Sequence, residues 1–163
     1  TLSWKAEHVC VPHTVEGIKP GPLDAADGNW TGLAEETILG HVHLSVADLD
    51  ATRDFYTKVL DYRVVNDKYN KALFVSTGKY HHHLAFNVWY SENGYPAPAN
   101  AVGLKSFTIV LKDEDYAEEV RGKLKAAGYN AEFFADEPKY GGKQIFSTVD
   151  VNGFRIFFTV EGK

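Results

Sequence analysis

Cysteine and methionine are almost absent from this sequence. Cys10 is the only cysteine, and there is no methionine at all. A single thiol cannot form an intramolecular disulfide, so the chain is not a small secreted domain stabilised by disulfides. Because even an initiator methionine is missing, we expect the chain to be either a processed form or a fragment of a longer protein.

Long apolar runs and clusters of basic residues are also missing. No apolar stretch approaches the length of a membrane-spanning helix, and residues 1–5 lack the basic-then-apolar pattern of a signal peptide. The chain has 17 Lys and Arg against 22 Asp and Glu, a net charge of −5. This balance argues against a nucleic-acid partner, and the missing apolar run argues against a membrane partner. We expect a soluble protein with a small-molecule substrate and favour a cytoplasmic location.

The length and the hydrophobic content are sufficient for one well-buried core. The 163 residues are 44% hydrophobic, which indicates a single globular domain rather than two. Residues 1–36 contain Pro12 and the Pro20-Gly21-Pro22 turn and show no sustained periodicity, so we predict an N-terminal arm or connector. Trp4, Trp30 and Leu33 are expected to attach this arm to a domain that spans residues 37–163.

Two β-α-β-β-β patterns follow one another in this domain. The predicted half-modules span about residues 37–90 and 104–161, separated by a loop rich in Gly, Pro and Asn. Asp48 is the predicted N-cap of the first helix, and Asn152-Gly153 is typical of a hairpin turn. The predicted elements are strands 38–46, 62–66, 72–77 and 81–89 around a helix at 49–60, then strands 106–111, 130–134, 144–149 and 154–160 around a helix that starts at Asp113.

The two halves resemble each other at their junctions. Val46-Ala47-Asp48 matches Leu111-Lys112-Asp113 where a strand leads into a helix, and Leu60-Asp61-Tyr62 matches Ala127-Gly128-Tyr129 where the helix returns to a strand. One sheet with one helix cannot bury both faces of the sheet, so the halves must pair. The predicted fold is α+β, with duplicated β-α-β-β-β units forming a curved mixed sheet around a cavity.

Five of the seven histidines lie in two strand-like segments about forty residues apart, at Gly40–Val46 and Tyr80–Phe86. Side chains alternate across a strand, which places His41 and His43 on one face. By the same rule His82 shares a face with Leu84 and Phe86. Imidazole is a common ligand of first-row metals, so one histidine from each segment would make half of a metal site.

These segments carry a family resemblance. Residues 40–49 with Asp54–Leu60 resemble the vicinal oxygen chelate superfamily of glyoxalases, bleomycin-resistance proteins and extradiol dioxygenases, over about residues 38–160. Residues 72–76 and 80–89 are similar to catechol 2,3-dioxygenase-like proteins, which often carry two modules in one chain. Residues 22–33 resemble the connector before their second module, so the resemblance implies a lone second module with its linker.

The resemblance also implies a metal and its ligands. The first family ligand falls on His41 and the second on His82. The third is normally a glutamate, and its position is filled by Phe157. The family's acid/base histidine has no counterpart in residues 64–69, and its tyrosine falls on Ser147, so no catalytic acid or base is assigned. The implied metal is divalent, with Fe(II) first and Mn(II) or Zn(II) as alternatives.

Two histidines alone bind a metal weakly, so the third ligand is the open question. His43 shares the face of His41 and is our first choice. Glu161 shares the face of Phe157, about 13 Å further along the strand at about 3.3 Å per residue, and would need a shifted register. The arm segment His8–His13, or a bound ligand, could also supply the third donor.

Two functions are therefore expected from different classes. The first is a metal-dependent enzyme of the extradiol dioxygenase branch that acts on a small vicinal-oxygen or aromatic substrate. The second is a non-catalytic member of the same fold that binds or sequesters a small apolar molecule, which the phenylalanine at the glutamate position favours. Either protein is expected to be a homodimer. The predicted substrate-binding residues are Phe74, Tyr80, Phe86, Phe146 and Phe157.

Overall fold

A computed structural model describes residues 4–5, 38–95, 97–98, 100–134 and 145–160. The first half contains strand β2, helix α1 with a π-helical turn after it, and three further strands. The bounds are β2 (Val42–Ser45), α1 (Leu49–Asp54), the π-helical turn (Phe55–Val59), β3 (Arg63–Asn66), β4 (Ala72–Ser76) and β5 (Leu84–Asn87). Among the described residues, no helix is long and apolar enough to cross a membrane.

The second half repeats this order, and a short strand precedes both halves. The bounds are β1 (Trp4–Lys5), β6 (Ser106–Leu111), α2 (Glu114–Ala126), β7 (Glu132–Phe134), β8 (Ile145–Val149) and β9 (Arg155–Val160).

Each half forms its own mixed sheet with the same topology. The first sheet has the order β2-β5-β4-β3 and the second the order β1-β6-β9-β8-β7. In both halves the first strand is parallel to the last and the other pairs are antiparallel. The predicted α+β fold with duplicated β-α-β-β-β units is therefore confirmed.

The expectation of one curved sheet needs a correction. In the part of the chain that the structure describes, no strand of one half pairs with a strand of the other. The outer edge of β6 pairs instead with β1, through Trp4 opposite Ile109 and Lys5 opposite Thr108, which closes this edge to β2. The rest of the predicted arm, with Trp30 and Leu33, lies outside the described residues.

Aspartates begin both helices, as the sequence predicts. Oδ1 of Asp48 accepts hydrogen bonds from the backbone N–H groups of Asp50 (2.8 Å) and Ala51 (3.0 Å). Asp113 accepts one from Tyr116 at 2.7 Å. These side chains satisfy amides that lack a partner within the helix. The first helix differs from its prediction only after Asp54, where the chain widens into the π-helical turn.

Alternation along the strands of the first sheet separates a core face from the face that carries His43 and Phe74. Leu44, Phe86 and Leu73 lie side by side across β2, β5 and β4 and are buried in the core. Their neighbours His43, Ala85 and Phe74 lie opposite one another on the other face. The first sheet therefore has one face available for chemistry.

A buried hydrogen-bond network joins the two halves. The hydroxyl of Tyr56 donates to Oδ2 of Asp150 at 2.9 Å. Oδ1 of Asp150 accepts from the backbone N–H groups of Asn152 (2.9 Å) and Phe154 (2.8 Å) and so fixes the hairpin turn. The Asn152 amide donates to the hydroxyl of Thr52 at 3.0 Å. Burial raises the pKa of Asp150, and burial followed by the charge of Asp150 raises the pKa of Tyr56.

Replacement of Tyr56 should show how much this network contributes. Tyr56→Phe is expected to lower the free energy of unfolding by about 1–3 kcal/mol, because a buried carboxyl group loses a hydrogen-bond donor. Urea denaturation followed by circular dichroism measures this change. The control is Tyr90→Phe, at a fully exposed side chain, which should change stability by less than about 0.5 kcal/mol. Equal effects of the two variants would contradict the role of the network.

The same network predicts a pH dependence. Because the folded protein holds the pKa of Asp150 above its ordinary value, the protonated carboxyl is favoured on folding. The stabilisation that this carboxyl group contributes is fully present at pH values below its ordinary pKa. It is lost as the pH rises through the raised pKa of the folded protein. Asp150→Asn should therefore flatten the fall of stability in this range, measured by urea denaturation at several pH values.

Candidate functional site

Three histidines of the first half meet at one end of its sheet. The ring centroids of His41 and His82 are 4.5 Å apart, and those of His81 and His82 are 4.4 Å apart. Each of the three offers one ring nitrogen such that all three nitrogens lie within 4.8 Å of one another. The structure thus brings together the two predicted ligands, His41 and His82, and adds His81.

The parallel pairing of β2 with β5 produces this cluster. Val42 lies opposite Leu84, so the residues that precede the two strands are neighbours. His82 was expected on the face of Leu84 and Phe86, but its ring lies 5.1 Å from that of Phe74 on the opposite face. The reason is that β5 begins only at Leu84, so strand alternation does not extend back to His82.

The environment of His82 favours its neutral form. Burial, followed by the proximity of His41 and the other nearby imidazoles, lowers the pKa of His82 to about 4. A neutral imidazole is the form that binds a metal. At neutral pH this ring can therefore coordinate a cation without first losing a proton.

His43, our first choice for the third ligand, makes a different contact. The Asn87 side chain accepts from the backbone N–H of Trp89 at 3.2 Å through its oxygen, which directs its Nδ2 donor to Nε2 of His43 at 2.9 Å. The lone pair of Nε2 is thereby occupied. His43 is not one of the three clustered histidines. Glu161, the other candidate, lies outside the described residues, as do His8 and His13.

His83 holds the histidine-rich segment on the sheet. It is buried, and its Nδ1 accepts a hydrogen bond from the backbone N–H of Thr77 at 3.2 Å and lies 3.0 Å from the hydroxyl of Ser76. Burial lowers the pKa of His83. Because these contacts fix the ring that follows His81 and His82, they anchor the segment that carries two members of the cluster.

The cluster fits a divalent first-row metal by its donor type. Three imidazole ligands suit Zn, Cu, Ni or Fe, whereas Mn prefers carboxylate oxygens. Nitrogens bound to one ion at about 2.0–2.1 Å lie at most about 4.2 Å apart. Since His41 and His81 are exposed and His82 is half-buried, small rotations of surface side chains would close the remaining gap.

The predicted substrate-binding residues are separated in the structure. Phe74 lies beside His82 of the cluster, whereas Tyr80 lies 4.3 Å from His81 and lines a cleft that contains none of the three clustered histidines. Phe86 and Phe146 are 0% and 2% exposed in the core and have no surface to offer a substrate. Phe157 is half-buried on β9, between Thr108 and Ser147 of the neighbouring strands.

The second half does not repeat the histidine cluster. Matching the two strand-to-helix junctions places Ser106 where the first half has His41. The paired strands then place Phe157 where the first half has Ala85. The sequence did not identify His81 as a candidate, because strand alternation places His81 and His82 on opposite faces. The signal that could have found it was the run of histidines itself, which is too polar for a buried strand.

A comparison with known sequences identifies relatives of this chain. Residues 38–158 match the Glyoxalase/Bleomycin resistance protein/Dioxygenase superfamily. The chain is 43% identical over 110 residues to the catechol-2,3-dioxygenase of Bacillus subtilis (strain 168). That match includes 67% of this chain and 39% of the relative, so the chain spans well under half of the relative's length.

Solved structures share the fold at low identity. The lactoylglutathione lyase of Agrobacterium tumefaciens superposes with a TM-score of 0.58 and 20% identity, covering 78% of this chain and 96% of its own. A glyoxalase family protein of Enterococcus faecalis gives a TM-score of 0.59 and 22% identity, covering 76% of this chain and 98% of its own.

These matches agree with the duplicated topology. In each half the first and last strands are parallel, and a helix lies between the first two strands. The family match over residues 38–158 includes both halves. The chain belongs to the glyoxalase/bleomycin resistance protein/dioxygenase superfamily.

Proposed function

We propose that the protein is a metal-dependent enzyme of the extradiol dioxygenase type that acts on a small vicinal-oxygen or aromatic substrate. The observation that carries the proposal is the cluster of His41, His81 and His82, whose ligand nitrogens lie within 4.8 Å of one another. The 43% identity to a catechol-2,3-dioxygenase supports the substrate class. When bound, a divalent metal at this cluster would supply a Lewis acid that polarises substrate oxygens.

An aromatic surface adjoins the cluster on the same face of the sheet. It consists of Phe74, His43, Trp89 and Tyr69. The ring of Phe74 lies 5.1 Å from His82 and 6.2 Å from His43, and the ring of Trp89 lies 5.5 Å from His43. An aromatic substrate that stacks on Phe74 would reach the cluster with its oxygens. The aromatic surface would thus orient the substrate while the histidines hold the metal.

The hydrogen bond between Asn87 and His43 has a part in this arrangement. It occupies Nε2 of His43. Burial, followed by the neighbouring His41, lowers the pKa of His43. The ring therefore stays neutral beside an apolar substrate. A neutral ring avoids repulsion of the cation at the cluster and leaves His43 as a wall of the substrate site.

Phe157 favours a second candidate function. At the position where the resemblance expects a carboxylate ligand, this chain has an aromatic side chain that cannot coordinate a metal. A non-catalytic member that binds or sequesters a small apolar molecule on the aromatic surface would need no carboxylate. This candidate differs from the first in its prediction for oxygen consumption.

The first experiment tests the ligands. His41→Ala, His81→Ala and His82→Ala should each weaken binding of Zn(II) by at least about tenfold, because each removes one of three nitrogen donors. His43→Ala is the matched control and should bind Zn(II) as the unaltered protein does. Isothermal titration calorimetry measures the affinities. Loss of binding in His43→Ala together with full binding in His81→Ala would overturn this ligand set.

The second experiment separates the two functions. The protein is loaded with Fe(II) without oxygen, and oxygen uptake is then followed with catechol as the substrate. The enzyme proposal expects uptake that depends on catechol and is lost in His41→Ala. Catechol binding without uptake would instead favour the sequestering function. Absence of both binding and uptake would count against both candidates for this substrate.

We further propose that the chain forms a homodimer. Its support is exposed apolar surface on several elements, including Phe133, Val149 and Val151, which are 40–43% exposed. A second copy that covers such surface would remove apolar area from water. Light scattering over a wide range of concentrations should give the mass of two chains. The mass of a single chain at all concentrations would contradict this proposal.

A further inference from the structure

A cleft of about 1090 Å³ lies between the two halves, and its lining residue Tyr80 separates it from the histidine cluster, with the rings of Tyr80 and His81 4.3 Å apart. The first half contributes the residues before β2, the start of β3 and the end of β4. The second half contributes Lys112 and Tyr116. None of the three clustered histidines lines the cleft. Neither the metal site nor the aromatic surface explains it.

Positive charge dominates the lining of the cleft. Three cations, Arg63, Lys79 and Lys112, line it together with one carboxylate, Asp61. That carboxylate forms an ion pair with Lys123, outside the lining. The cleft is thus electropositive within a chain whose net charge is −5. An electropositive concavity in an acidic protein favours an anionic ligand.

The cations of the cleft are poorly neutralised. The guanidinium of Arg63 donates to the carbonyl of Gly78, at 3.3 Å from Nε and 2.9 Å from Nη2, rather than to a carboxylate. Within the described part of the chain Lys79 makes no ion pair, and Lys112 has only Asp113, at 3.7 Å. The positive charges of Arg63, Lys79 and Lys112 are therefore available to an anionic ligand. The carbonyl contact also holds the guanidinium of Arg63 in place.

Apolar and aromatic groups complete the walls. Tyr80 stacks on His83 with the ring centroids 4.8 Å apart and the planes at 29°. Tyr116 of the second half also lines the cleft, with the ammonium of Lys112 5.0 Å from the centre of its ring. Ile38 is 78% exposed and lines the same cleft. Flat rings and an exposed aliphatic side chain suit the apolar body of an organic molecule.

We propose that this cleft binds a small organic carboxylate with an aromatic body. The carboxylate would lie among Arg63, Lys79 and Lys112, since a guanidinium and two ammonium groups are the natural donors to it. The aromatic body would lie against Tyr80 and Tyr116. The cleft, at about 1090 Å³, is slightly larger than the usual range for small-molecule sites of about 300–1000 Å³.

Benzoate is the probe for this proposal, and benzamide is its neutral counterpart of almost the same shape. Isothermal titration calorimetry of the whole chain should show saturable binding of benzoate that weakens at high salt. Benzamide should bind at least about tenfold more weakly, because it lacks the charge. Acetate, which lacks the ring, should also bind more weakly than benzoate.

Lysine variants locate the binding site. Lys79→Gln and Lys112→Gln should each weaken benzoate binding about two- to fivefold, and the double variant about tenfold. The matched controls are Lys68→Gln and Lys105→Gln, at exposed lysines that do not line the cleft. The controls should bind benzoate as the unaltered protein does. Circular dichroism confirms that each variant is folded.

The outcomes separate this site from the metal centre. His41→Ala should lose the metal and keep benzoate binding, since His41 does not line the cleft. Loss of benzoate binding in His41→Ala with retention in the double lysine variant would assign the anion to the histidine cluster and overturn the proposal. Absence of saturable benzoate binding, or equal affinity for benzamide, would also overturn it.

Discussion

The parallel pairing of β2 with β5 is the interaction on which the functional half of the molecule depends. It joins strands that are about forty residues apart in the chain and places Val42 opposite Leu84. The residues before both strands are then neighbours, and the histidine cluster forms there. A shift of this register by one residue would reverse the faces of the β5 side chains and move Phe86 out of the core.

The packing of helix α1 and its π-helical turn on one face leaves the other face free for function. Phe55, Tyr56 and Val59 are buried with Leu44 and Phe86. The ring of Tyr56 packs on that of Phe86 at 4.6 Å, and its hydroxyl reaches Asp150 in the other half. One side chain therefore anchors the first sheet and ties it to the second half, whose Lys112 and Tyr116 complete the electropositive cleft.

Duplication gave the two halves one topology but different chemistry. The positions of His41 and Ala85 in the first half are filled by Ser106 and Phe157 in the second. The clustered histidines therefore all come from one half, whereas the cleft takes residues from both. A site contained in one sheet depends on strand register, and a site between the halves depends on how they pack. The two sites should accordingly respond to different substitutions.

The amino-acid sequence by itself determined the elements of this protein. Hydrophobic periodicity, the capping aspartates Asp48 and Asp113 and the Asn152-Gly153 turn are local signals, and they predicted the order of strands and helices and the duplicated fold. The same signals and the family resemblance identified His41 and His82 as candidate ligands. All of these rest on interactions between residues that are near in sequence, or on a pattern that repeats along the chain.

Only the tertiary structure decided which side chains meet. Strand alternation placed His82 on the wrong face, because the regular strand β5 begins only at Leu84 and its alternation does not extend back to His82. The tertiary structure also decided that His81 joins the cluster and that the Asn87 side chain donates a hydrogen bond to Nε2 of His43. The electropositive cleft could not be predicted, because its cations come from segments whose proximity depends on packing over the whole fold.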